Sequence, residues 1–102
     1  MISFFRVLGQ SMAPALKEGD VVVVNTMSYL FSSPQVGHIA VFKHPQKEGM
    51  LLIKRVKKEE HNRYWLQGDN TSESSDSRQF GWIKKGLIEG KVIHKTALLD
   101  MV

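Results

Sequence analysis

Apolar positions in this chain come in short bursts separated by turn-forming residues. "SFFRVL" (3–8) is apolar with one interruption, and "DVVVVNT" (20–26) is a β-branched run of the kind found in a strand buried on both faces. "GHIAVFKH" (37–44) starts at a glycine and stops at His44-Pro45. "MLLIKRV" (50–56) is broken by Lys54 and Arg55, and "RYWLQG" (63–68) runs into Gly68-Asp69-Asn70, a strong turn signal. "FGWI" (80–83) and "GLIEGKVIHKT" (86–96) supply the last strands. Short strands with Gly, Pro, Asn, Asp and Ser between them predict an all-β fold, a sandwich or partly open barrel. The one helical candidate is "SMAPALKEG", a single turn after Ser11, since Pro14 is tolerated only in a first helical turn. "TSESSDSR" (71–78) reads as a polar loop, and "MSYLF" (27–31) as core or as the wall of a groove.

Length and charge narrow the picture. The chain has 102 residues, enough for one domain with one hydrophobic core, and it shows no internal repeat or linker. The formal charge of +4 is spread out, with short clusters at Lys57-Lys58 and Lys84-Lys85. A nucleic-acid binder would show a basic stripe interleaved with aromatics, so no nucleic-acid partner is expected. Contact with an anionic membrane surface is permitted by this charge, not demanded. There is no cysteine, which excludes disulfides, cysteine nucleophiles and cysteine-based zinc sites. The four histidines (38, 44, 61, 94) form no metal motif, so neither metal nor cofactor is expected. "MISFFRVLGQ" lacks the features of a signal peptide, and no window reaches the roughly 18 apolar residues of a membrane span. The expectation is a cytoplasmic protein, at most peripheral at a membrane, with no prediction of oligomeric state.

Two residues carry candidate chemistry. Ser11 sits between the chain-bending Gly9 and Pro14. A serine there caps or turns the chain unless a base takes its proton, and no histidine is tied to it by a signature. In "LLIKRV", strand alternation puts Leu52, Lys54 and Val56 on one face, and Leu51, Ile53 and Arg55 on the other. A lysine among aliphatic side chains loses stability as ammonium, and its neutral amine can serve as a general base. The alternative is a strand-edge lysine that snorkels to water. In the segment 68–81, Asp69 can bond nearby backbone and Ser74 can offer its hydroxyl to a lysine amine. Asp76 and Arg78 can form a bidentate pair that fixes the loop.

In sequence order, "GQSMAPALKEGD", "GHIAVFKHP", "IKRV", "GDNTSESSDSRQFG" and "IEGKV" closely resemble the signal peptidase I family of serine–lysine peptidases, over about residues 6 to 93. The resemblance implies a β-rich catalytic core and an endopeptidase acting on a protein or peptide substrate, with Ser11 as nucleophile and Lys54 as base. It implies that Met12 and Pro14 shape the nucleophile turn and that the Ser11 N–H serves an oxyanion hole. It implies that Ser74 orients the lysine, that Asp76 and Arg78 support the site, and that Gly68, Asp69 and Asn70 pack beneath it. Family members carry a transmembrane anchor before the serine, whereas ten residues precede Ser11 here. Large members insert a second β domain between K-R-V and G-D-N. Eleven residues, "KKEEHNRYWLQ", separate Val56 from Gly68, enough for a hairpin only. Gly9 stands where some members place an oxyanion-binding hydroxyl, and Gly37-His38 stands where much of the family has G-D. These departures resemble a small, anchorless branch, the maturation proteases of nickel-type superoxide dismutase, and imply removal of a short N-terminal propeptide. Self-cleaving repressors share the serine and lysine elements but need an upstream cleavage segment. A non-catalytic β module binding peptides or membranes has no need of Ser11, Lys54, Ser74, Asp76 and Arg78 together.

Overall fold

The computed structural model describes residues 1–96. Seven strands among them form one antiparallel sheet: β1 (Ile2–Arg6), β2 (Val21–Asn25), β3 (Ile39–Lys43), β4 (Leu51–Glu60), β5 (Arg63–Gln67), β6 (Ile83–Lys84) and β7 (Ile88–Thr96). The spatial order is β1-β2-β7-β3-β4-β5-β6, and the sheet curls into a half-barrel. The mainly β, partly open barrel read from the sequence is therefore the architecture, built from one curled sheet rather than two stacked ones. β7 lies between β2 and β3 and so ties the two ends of the chain together. Register shifts at Val23/Val24, Val41/Phe42 and Val56/Lys58 add local twist of the kind that curls a sheet.

The apolar side chains pack into two clusters, where a single core was expected. Alternation along β3 explains the division. Ala40 and Phe42 join Tyr29, Val56, Tyr64, Leu66, Ile83 and Ile88, while Val41 joins Val7, Met12, Leu16, Val22 and Val24. The strand is buried from both sides, and each large side chain removed from water contributes about 1.5–3 kcal/mol. Met12 and Leu16 come from the loop between β1 and β2, so that loop closes the second cluster and carries Ser11 with it.

β4 and β5 form a tight hairpin. It turns at His61 and Asn62, whose φ values of 52° and 61° suit a two-residue turn matched to strand twist. The eleven residues between Val56 and Gly68 make this hairpin and no more, as their number implied.

The helices differ from the sequence expectation. Residues after Ser11 form turns, with one helical bond from the Leu16 N–H to the Met12 carbonyl at 2.9 Å. The two α-helices of the described residues lie elsewhere, α1 at Ser28–Phe31 and α2 at Ser77–Phe80. In α1, Tyr29 is buried while Leu30 and Phe31 are 68% and 86% exposed, so "MSYLF" is only partly core. α2 begins inside the stretch read as loop and ends at Phe80, and the strand expected over 80–83 starts only at Ile83. The Asp76–Gln79 capping box of α2 supplies the partners that a bare polar loop lacks. Of the histidines, His94 lies in β7 as expected, and His38 precedes β3 rather than lying in it.

Gly90 on β7 lies close against β2. A Cβ there would lie 2.7 Å from Val24 Cγ1 and 2.8 Å from the Asn25 carbonyl oxygen. Gly90→Ala is expected to lower stability by about 1–3 kcal/mol. Gly86→Ala, whose Cβ meets nothing within 4 Å, should stay within about 0.5 kcal/mol. Paired urea melts check both.

Candidate active site

Ser11 stands in the β1–β2 loop and Lys54 in the middle of β4, and Lys54 Nζ lies 2.6 Å from Ser11 Oγ. Lys54 is 4% exposed. Its neighbours in alternation, Leu52 and Val56, belong to the first apolar cluster, as the strand pattern required. Burial is the largest influence on the amine and pushes its pKa below the ordinary 10.5. The negative charge of Asp76 opposes this, the positive charge of Arg78 adds to it, and the net direction is down. An ammonium here would donate to Ser11 Oγ. A neutral amine would instead accept the serine proton over the same short separation.

Asp76 is the hub of the support beneath this pair. It is fully buried, and burial alone would raise its pKa. Five hydrogen bonds outweigh that. Arg78 Nε donates to Oδ1 at 3.0 Å and Arg78 Nη2 to Oδ2 at 3.2 Å. The Arg78 N–H reaches Oδ1 at 3.1 Å, the Gly68 N–H reaches Oδ2 at 2.8 Å, and Ser74 Oγ donates to Oδ2 at 2.6 Å. The carboxyl is thereby held at about 2. The bidentate Asp76–Arg78 pair matches the expectation. Ser74 differs from it in one respect, since its proton goes to Asp76 rather than toward the lysine.

Gly68, Asp69 and Asn70 each make a different connection. A Cβ on Gly68 would collide with Ser74 Oγ and would come within 2.6 Å of the Ser11 carbonyl oxygen, so only glycine lets these segments meet. Asn70 grips the serine loop, its N–H donating to the Ser11 carbonyl at 2.9 Å and its Nδ2 to the Gln10 carbonyl at 3.0 Å. Asp69 does not bond nearby backbone as expected. Both its oxygens accept from Arg55, Oδ1 from Nε and Oδ2 from Nη2, each at 2.9 Å. Arg55 also donates to the Gly37 carbonyl at 2.9 Å, joining β4, the turn before β3 and the loop after β5. The sequence reading assigned Arg55 no role. The signal was present, because Arg55 is the neighbour of Lys54 and must face away from the lysine's side of the strand.

Met12 is 1% exposed and anchors the serine loop in the second cluster, while Pro14 stands exposed at the loop surface. Among the described residues the Ser11 N–H donates to no acceptor. A cavity of about 120 Å³ opens beside the pair, walled by Val7, Leu8, Met12, Leu51, Leu52 and Ile53, with Arg6 at its edge. The strand-end residues Arg6, Val7 and Leu8 were not anticipated as lining. His38 lies apart from this constellation; its Nδ1 contacts the Tyr29 hydroxyl at 2.9 Å and the Gln35 N–H at 3.2 Å. Among the described residues no helix is long and apolar enough to cross a membrane.

Asp76 binds its proton far more weakly folded than unfolded. Its stabilising contribution is present above the ordinary carboxyl value of 3.8 and is lost as pH falls toward about 2. Asp76→Asn is expected to cost about 2 kcal/mol at pH 7 and to flatten the loss of stability between about pH 4 and pH 2. Thermal melts of both proteins across that range check this.

Comparison with known proteins gives the family of the chain. The profile of the signal peptidase family, peptidase S26, matches residues 1–57 and 58–96. The mitochondrial ATP-independent inner membrane protease subunit 1a of Arabidopsis thaliana is 30% identical, over 91% of this chain and 69% of the relative. The mitochondrial inner membrane protease subunit 1 of Homo sapiens is 31% identical, over 85% of this chain and 64% of its own length. Signal peptidase I of Aquifex aeolicus is 36% identical over 51% of this chain and 20% of the relative. The chain thus spans about two thirds of the length of the mitochondrial relatives it matches. The chain belongs to the signal peptidase family, peptidase S26.

Proposed function

We propose that this protein is a serine endopeptidase in which Ser11 is the nucleophile and Lys54 the general base, and that it removes an N-terminal leader or propeptide from a protein substrate. The observation that carries this is the 2.6 Å approach of a buried amine to a serine hydroxyl. Residues 1–102 are read as one peptidase core.

The steps follow from the positions of the groups. Ser11 Oγ attacks the scissile carbonyl carbon as the neutral Lys54 amine takes its proton. The carbonyl oxygen becomes an oxyanion near the unengaged Ser11 N–H, and one such donor contributes roughly 3 kcal/mol in well-studied serine proteases. The Lys54 ammonium then gives its proton to the leaving amine, the C–N bond breaks, and an ester to Ser11 remains. Water, deprotonated by the same amine, attacks the ester and frees the enzyme. Asp76, Arg78 and Ser74 hold the platform under the lysine. Gly68 and Asn70 hold the serine loop, and Met12 and Pro14 shape it.

The finer identity of the leader is part of the same proposal. The Gly37-His38 variation supports a propeptide of a nickel-type superoxide dismutase. A second reading, signal peptidase action at a membrane surface, is favoured by Ile2, Phe4 and Leu8, which are 48%, 64% and 78% exposed on the segment leading to the cavity. The names of the mitochondrial relatives point the same way.

Incubation with a pool of nickel-superoxide-dismutase and signal-peptide junction peptides, read by mass spectrometry, tests the proposal. Ser11→Ala and Lys54→Ala are each expected to reduce kcat/KM by about 10³-fold or more. The wild-type rate should rise with pH through the lysine's lowered pKa, because only the deprotonated amine is a base. Cleavage that survives Ser11→Ala would refute the assignment, and the junction chosen decides between the two leader classes.

A further inference from the structure

Arg6, at the end of β1, lines the cavity beside Ser11 and Lys54 together with apolar residues of the β1–β2 loop and β4. Among the described residues no acidic one lines this cavity. Among the described residues Arg6 takes part in no ion pair, and its side chain is exposed. The charges that act most on Lys54 are those of Asp76 and Arg78. Arg6 also adds little to the fold, because it pairs with Val21 only through backbone register at the outer strand of the sheet. With Lys54 neutral in its reactive state, Arg6 is the one residue with a formal charge among the described residues that line the cavity.

We propose that Arg6 is a specificity-determining residue that selects substrates carrying an Asp or Glu side chain close to the scissile bond. This inference rests on the serine–lysine peptidase reading and deepens it by naming a substrate class. β1 is the terminal strand, so one of its edges is open to an extended peptide that would lie beside it on the way to Ser11. An extended chain advances about 3.3 Å per residue. A long arginine on the wall therefore reaches substrate side chains within about two or three residues of the reacting carbonyl. The planar guanidinium matches a carboxylate in a two-point contact, which a lysine would not reproduce. The contact is exposed to water, so its effect is modest and screened by salt.

The test uses one signal-peptide junction peptide with Asp, Asn or Lys placed in turn at each of the three positions on either side of the scissile bond. At one of these positions the wild-type protein is expected to cleave the Asp peptide about 3- to 10-fold faster in kcat/KM than the Asn peptide. The ratio should fall toward one at about 1 M salt. In Arg6→Gln the Asp-to-Asn ratio should collapse to about one, and in Arg6→Glu the Lys peptide should become the preferred one. Thermal melts confirm that both variants are folded. Equal cleavage of Asp and Asn peptides at every position, or a preference that survives Arg6→Gln, overturns the role of Arg6 while leaving the serine–lysine reading standing. Absence of any Ser11-dependent cleavage overturns that reading, and this one with it.

Discussion

A lysine amine out of water and 2.6 Å from a serine hydroxyl is the constraint around which this small fold is arranged. Water stabilises an ammonium strongly, so placing Lys54 among Leu52, Val56 and the serine loop carries a cost in the charged form. The cost is met by where the residue stands. β4 runs inside the sheet, paired to β3 and β5, and cannot move its side chain to the surface without disturbing both. The lysine relieves the cost by giving up its proton more readily, and that change is what makes an amine useful beside a serine.

The second requirement is that two distant segments meet. Ser11 and Lys54 are 43 positions apart in sequence, and neither lies in the segment that holds them together. That segment is 68–78. Its glycine allows the close approach, its asparagine grips the serine loop, and its buried aspartate gathers five donors. The carboxylate does double duty. It organises the loop through Arg78, Ser74 and the Gly68 N–H, and its charge opposes the lysine's loss of a proton. The balance leaves the amine's pKa lowered, with burial as the larger influence. On the far side of β4, Arg55 clamps Asp69 and Gly37, so the strand that carries the lysine is pinned at the next residue as well.

Much of this was legible in the sequence because it follows local rules. β-Branched runs and turn residues gave the strands, alternation gave the buried side of Lys54, and the short interval between Val56 and Gly68 gave the hairpin. The pairing of Asp76 with Arg78 followed from their spacing. What was not legible depends on long-range packing. The insertion of β7 between β2 and β3 has no local signature. α2 was hidden because it is four residues long and follows a stretch rich in Ser and Asp, although Asp76 and Gln79 stand at capping-box spacing. Asp69 was read as a local turn former because Asp commonly bonds its own backbone. Its real partner, Arg55, is 14 residues away and becomes a neighbour only once β4 and β5 pair. The apolar walls of the cavity were invisible for the same reason, since they come from the loop after β1 and from β4, segments far apart in sequence.

The central claim is that the fold holds the Lys54 amine in an environment that lowers its pKa and makes it a base for Ser11. A direct measurement is the titration of the lysine side-chain resonances by NMR, with Lys54 assigned by its loss in Lys54→Met. The account predicts that the Lys54 signal titrates clearly below the ordinary lysine value of 10.5, apart from the surface lysines. A Lys54 that titrates at or above that value would contradict the account, because the amine would then stay protonated and could not accept the serine proton.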